Sequence, residues 1–151
     1  MVRSSGMEIR PVREEDLSRI AQLYAEIFAA PPYEEAWTYE SALARLREFW
    51  KACAESCFVA EQQGRVVGFA FCSYHTWWSG KVMRIEELGV DFRLQRHGIG
   101  TMLLEHCLAR GREAQGIRSV EVVSPRTAPA LDFYRSHGFV SAGRELLSKA
   151  V

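Results

Sequence analysis

The run Gln95-Arg96-His97-Gly98-Ile99-Gly100 is the part of this chain best suited to chemistry. It follows an apolar stretch ending in Leu88-Gly89-Val90-Asp91 and precedes Thr101-Met102-Leu103-Leu104, which reads as the start of a helix. Closely spaced glycines let the backbone approach a ligand, and the helix behind them offers unpaired N–H groups at the positive end of its dipole. Such a junction holds phosphate. Two well-known phosphate loops do not fit. A P-loop needs Lys and then Ser or Thr directly after its last glycine, whereas Gly100 is followed by Thr101 and Met102. The dinucleotide fingerprint needs Gly or Ala at position 103, which is Leu.

The elements that must carry this loop follow from the spacing of apolar residues. Met7–Val12 alternates as a strand, and Glu14-Glu15-Asp16 supplies negative charge for a helix's first turn. Leu17, Ile20, Ala21, Tyr24, Ile27 and Phe28 form one helical face that Pro31-Pro32 ends. Thr38 is a natural N-cap for a second helix with Ala42, Leu43, Leu46, Phe49, Trp50 and Cys53 inward. Cys57–Glu61 and Arg65–Tyr74 are strand-like and joined by Gln63-Gly64, a hairpin signal. After a turn at Trp77–Gly80, Lys81–Val90 is a long strand. The glycine loop and a helix to about Gln115 follow, then a short strand over Ser119–Ser124 and a short helix over Ala130–His137. Phe139–Val151 is expected to be a final strand, able to pair within one chain or across a homodimer. Hairpins in the first half and a strand–helix–strand crossover in the second predict a mixed sheet with helices on its faces.

Composition sets the class. A chain of 151 residues is one domain with a real core. Nineteen basic and nineteen acidic residues leave no basic excess for nucleic acid. No apolar run approaches the ~20 residues that cross a membrane, and no secretory leader is expected. Met1–Gly6 lacks periodicity and reads as a frayed or added terminus ahead of a domain over residues 7–151. Cys53, Cys57, Cys72 and Cys107 show no metal-ligand spacing and fit inert thiols in a reducing cytoplasm. No metal site is expected.

Four local patterns, in order, resemble the GNAT superfamily of N-acetyltransferases. They are Arg65-Val66-Val67-Gly68-Phe69-Ala70, Glu86-Glu87-Leu88-Gly89-Val90, the glycine loop, and Ala130–Phe139 with its Phe133-Tyr134-x-x-x-Gly138-Phe139 ending. The resemblance implies an α/β (α+β) fold whose mixed, mostly antiparallel sheet has a central splayed parallel pair and helices on both faces. It also implies acetyl-CoA as cosubstrate. Backbone groups of Leu88, Gly89 and Val90 would meet the pantetheine arm, and N–H groups of Gln95, Arg96, His97, Gly98, Ile99, Gly100 and Thr101 would hold the pyrophosphate. Thr127 stands where the family often has Asn, and its shorter hydroxyl would cap the later helix or bond the pantetheine.

The chemistry implied is attack of a neutral amine on a thioester. Glu86 and Glu87 are the candidate bases, with the family precedent leaning to Glu86, and Tyr134 is the candidate acid for the leaving thiolate and a further cofactor contact. Simple alternation puts Glu86 on the face of Leu88 and Val90 unless a bulge intervenes. For the acceptor, the linker residues Tyr33, Glu34 and Trp37 and the turn residues Trp77 and Trp78 combine aromatic and acidic groups suited to a small cationic amine. The same tryptophans also fit core or dimer contacts. The run Trp78–Glu87 is similar to that of the spermidine/spermine and thialysine acetyltransferase branch, which suggests a polyamine or diamine. A protein or peptide amine, N-terminal or lysine, is the alternative acceptor. A non-catalytic acyl-CoA-binding regulatory module is the alternative class.

Overall fold

The computed structural model describes residues 6–126 and 129–151. Five strands lie side by side in chain order: β1 (Met7–Pro11), β2 (Cys57–Gln62), β3 (Arg65–Trp77), β4 (Gly80–Val90) and β5 (Ile117–Val122). The first four pair antiparallel, and β5 runs parallel to β4. Helices α1 (Leu17–Ala29) and α2 (Tyr39–Ala52) cover one face; α3 (Ile99–Glu113) and α4 (Pro129–Ser136) cover the other.

Local chemistry explains the elements. Thr38 caps α2, its hydroxyl accepting from Ser41 N at 3.1 Å. Gln63 and Gly64 both take positive φ (52° and 75°), the conformation a tight hairpin requires. In β3 the side chains alternate, so Phe69 and Phe71 enter the α1/α2 core while Ala70 and Cys72 enter the α3/α4 core. Gly89 faces Phe69, where an added Cβ would lie 2.6 Å from the ring. Its missing side chain is a packing requirement.

Two expectations are corrected. Residues 139–151 form no strand. Adjacent Leu146 and Leu147 break the alternation a strand needs, and Gly143 turns the chain at φ +69°. Side-chain pairs hold this segment instead, with Arg144 on Glu121 at 2.5 Å. With no strand beyond β5 among the described residues, the parallel pair lies at the sheet's edge and not at its centre. Thr127 lies outside the described residues. No helix among them is long and apolar enough to cross a membrane.

The entry to α1 is fixed by charge. Arg10 bonds Asp16 at 2.7 and 2.9 Å and Glu61 at 2.6 Å, tying β1 to the helix start and to β2. Burial works against the Asp16 charge, but Arg10 and the Arg13 N–H outweigh it and hold the carboxyl below its ordinary range. A depressed native value stabilises the fold above the ordinary pKa and is lost as pH falls through the native one. Asp16→Asn is therefore expected to cost about 2 kcal/mol in urea unfolding near neutral pH. The gap to the parent should close as the pH drops below the carboxylate range.

Candidate active site

Pairing between β4 and β5 runs from Lys81 and Ile117 to Ile85 and Val122 and then stops. Beyond that point β4 continues to Val90 while the chain after β5 turns away through Val123-Ser124-Pro125. The gap opens a cavity of about 440 Å³ that reaches both faces of the sheet. Tyr24, Trp37 and Arg45 line it on the α1/α2 side, Ala130 and Tyr134 on the α4 side, with Glu86, Glu87 and Leu88 between.

The two glutamates share a face because β4 carries a bulge. Phe71 pairs with Glu87 and Cys72 with Ile85, so Glu86 is the extra residue. Ser73 continues the Phe69–Phe71 face of β3, and its hydroxyl donates to Glu86 at 2.7 Å. Glu87 accepts from Tyr24 Oη at 2.9 Å and from Arg45 Nε at 2.5 Å on that same side. Leu88 and Val90 pack into the opposite, α3/α4 cluster. The alternation that would have placed Glu86 with them is overturned by one inserted residue.

The glutamates differ in freedom. Glu87 is 8% exposed; burial pushes its carboxyl up, and Arg45 and Tyr24 pull only part of the way back. Its oxygen is committed to those partners. Among the described residues, Glu86 is held only by Ser73 and, at 3.4 Å, by His75. Tyr134 has no hydrogen-bond partner for its hydroxyl among the described residues, and burial raises its phenol, with Tyr33 adding to the shift. It stays protonated at neutral pH, a donor facing the cavity.

The glycine loop sits directly past β4. Arg96 and Gly98 take positive φ (65° and 84°), and Gly98 is the N-cap of α3. Met102 N is the first to bond back, to Gly98 O, so the N–H groups of Ile99, Gly100 and Thr101 point outward. Gln95 Nε2 donates to Val90 O at 3.1 Å, and His97 Nδ1 donates to Gln95 O at 2.9 Å, bracing the turn. A Cβ on Gly100 would find only ordinary contacts at 3.7 Å or more, so protein packing does not demand glycine there. The open backbone fits a diphosphate.

Among the acceptor candidates, Tyr33 and Trp37 line the cavity. Glu34 does not; its neighbour Glu35 does, accepting from Trp37 Nε1 at 2.6 Å. Trp77 and Trp78 lie on the β3–β4 hairpin away from it, 52% and 90% exposed. Trp77 instead borders a second cavity beside Arg144. Sequence reasoning missed Tyr24 and Arg45 as site residues. Arg45 carried a signal: it interrupts the apolar stripe of Ala42, Leu46 and Phe49.

Removing Arg45 leaves Glu87 buried without its cation. Arg45→Met should destabilise the fold at neutral pH by about 1–2 kcal/mol, less than a fully buried pair because Arg45 keeps solvent contact. The orphaned carboxyl is then raised further, so its penalty is present above the native pKa and relieved as pH falls through it. Urea melts of both proteins between pH 4 and 8 check the sign.

Known proteins place this arrangement. The model of the acetyltransferase (GNAT) family matches residues 17–139. A mycothiol acetyltransferase of Thermomonospora curvata is 36% identical over 74% of this chain and 36% of its own. That of Segniliparus rotundus is 30% identical over 89% of this chain and 52% of its own. The chain thus spans between a third and about half of the length of these curated relatives. Among solved structures, a possible acetyltransferase from Clostridium difficile 630 superposes at TM-score 0.82 with 18% identity, covering 97% of this chain and 99% of that one. The aminoglycoside N-acetyltransferase AAC(6')-Iy, solved with CoA, superposes at 0.77 with 22% identity, covering 99% and 98%. Both share this chain's overall fold, and the family match over most of the chain assigns it: this protein belongs to the acetyltransferase (GNAT) family.

Proposed function

We propose that this domain is an acetyl-CoA-dependent N-acetyltransferase that passes the acetyl group directly to the primary amine of a small cationic molecule. The observation that carries this reading is the cavity through the sheet, with two carboxylates on one face and, on the other, a tyrosine hydroxyl without a hydrogen-bond partner among the described residues. Bound acetyl-CoA supplies an activated thioester. The loop N–H groups and the Gly98–Gly100 backbone hold the diphosphate, and the bare edge of Leu88–Val90 offers backbone groups to the amide-bearing arm. Glu86 takes the amine proton, and Tyr134 donates to the departing sulfur. Glu87, locked by Arg45 and Tyr24, shapes the field at the acceptor.

Tyr33, Trp37, Glu35 and Glu86 form an aromatic and acidic wall suited to a cation. The curated relatives are named for mycothiol, which favours a small molecule over a protein amine and gives the polyamine reading no added support. The four free, buried cysteines fit a reducing compartment, and we place the protein in the cytoplasm.

A thiol-release screen tests the function: acetyl-CoA with mycothiol and its deacetylated form, polyamines, aminoglycosides and N-terminal peptides. Amine-dependent release of CoA is expected with a small amine. Tight CoA binding with no release for any acceptor would make the chain a sensor and not an enzyme. Glu86→Gln should lower kcat about a hundredfold and Tyr134→Phe about tenfold, with CoA affinity retained in both. Unchanged rates in both variants would defeat the acid–base assignment. Gly100→Val, which fills backbone space needed by phosphate and not by protein, should weaken CoA binding in calorimetry at least about tenfold while leaving the urea midpoint near that of the parent.

A further inference from the structure

Glu86 lies at one end of a line of polar side chains that leads out of the cavity. Ser73 and His75 lie on one face of β3, and the Ser73 oxygen is 2.7 Å from Glu86 and 2.9 Å from His75 Nε2. His75 Nε2 is itself 3.4 Å from Glu86. Exposure rises along this line, from 17% for the Glu86 side chain to 43% for that of His75. His75 borders the second cavity, of about 380 Å³, and Arg84 lines both cavities.

Proton accounting shows why such a path matters, given the N-acetyltransfer reading above. An acceptor that arrives as an ammonium sheds one proton before its nitrogen can attack and another as the amide forms. The C–N bond forms, the C–S bond breaks, and the thiolate takes up one of the two protons to become thiol. The other must reach water. We propose that Ser73 and His75 are positioning residues that relay this proton from Glu86 to solvent. Glu86, once protonated, donates to Ser73 Oγ while the Ser73 hydroxyl proton passes to His75 Nε2, and His75 sheds a proton to water. Serine gains one proton and loses one and stays neutral, so the charge changes fall on Glu86, which returns to carboxylate, and on His75, which carries the proton before releasing it; imidazole is a side chain that can both take up and give up a proton.

The charges facing this path are mixed. Arg84 of β4, Glu121 of β5 and Arg144 of the C-terminal segment surround His75 across the second cavity. Glu87, Glu35 and Arg45 face Glu86 across the first.

Two measurements test the relay. Nitrogen NMR of the His75 ring across pH 5–9 is independent of any acceptor. The titration midpoint should fall in Glu86→Gln, which removes a facing anion, and move in Ser73→Ala. An unmoved midpoint in both overturns the coupling, whatever the enzyme acetylates. In acetyl transfer to spermidine, kanamycin or deacetylated mycothiol, whichever the screen shows to react, His75→Ala should lower kcat about tenfold with KM kept, and added imidazole should restore it. A loss that imidazole does not relieve, with the pH profile unchanged, overturns the relay and leaves His75 a structural residue. Failure of all acceptors strikes the N-acetyltransfer reading instead, and the NMR result still decides the coupling.

Discussion

A parallel pair that ends at Ile85 and Val122 leaves Glu87–Val90 paired with β3 on one side and, among the described residues, without a strand partner on the other. Backbone N–H and C=O groups need partners, and water or an extended amide-bearing ligand must supply them. The same parting turns the sheet from a wall into a passage. It also fixes distance: the glycine loop begins directly after β4 and is tied back to its last residue through Gln95 and Val90 O. The glycine loop and the gap are therefore tied together at the end of β4. A ligand arm anchored in the loop is led along the bare edge toward Glu86 and Glu87.

The bulge at Glu86 decides what waits at the end of that path. In a regular strand consecutive carboxylates point to opposite faces, one toward each helix layer. One extra residue puts both on the α1/α2 side, where the aromatic pocket lies. Burial and pairing then separate their roles. Glu87 gives up its freedom to Arg45 and Tyr24, which keeps a charge in a buried place that it would otherwise not tolerate. Glu86 stands outside that pair, bonded to Ser73 and beside His75.

Most of the scaffold was legible in the residues. Apolar spacing gave both early helices, the Gln63-Gly64 hairpin and the long strand before the loop, because these signals are local. The glycine loop was legible because it needs positive φ at Gly98 and open backbone at Gly100; the positive φ at Arg96 left no such mark. The bulge was not: Ile85-Glu86-Glu87-Leu88 shows no glycine or break, and only pairing with Phe71 and Cys72 reveals the inserted residue. Trp77 and Trp78 looked like site residues by type, but the hairpin carries them past the cavity. The terminal strand failed for a related reason. Whether an apolar segment pairs depends on its neighbours in space, and Val140, Leu146 and Leu147 stay exposed.

The passage also bears on the direct transfer proposed above. A covalent acyl carrier would need a thiolate within reach of both substrates. Burial pushes the Cys57 thiol up to about 12, and the contact with Cys107, together with burial, raises Cys72 further. Neither lines the cavity, and among its described lining residues there is no cysteine at all. Thiols held this far from ionisation carry almost no nucleophile at neutral pH. On the direct transfer proposed above, a cavity that reaches both faces would let donor and acceptor approach from opposite sides and meet beside Glu86 without such a carrier. The sheet that keeps them apart elsewhere is open only where its pairing ends.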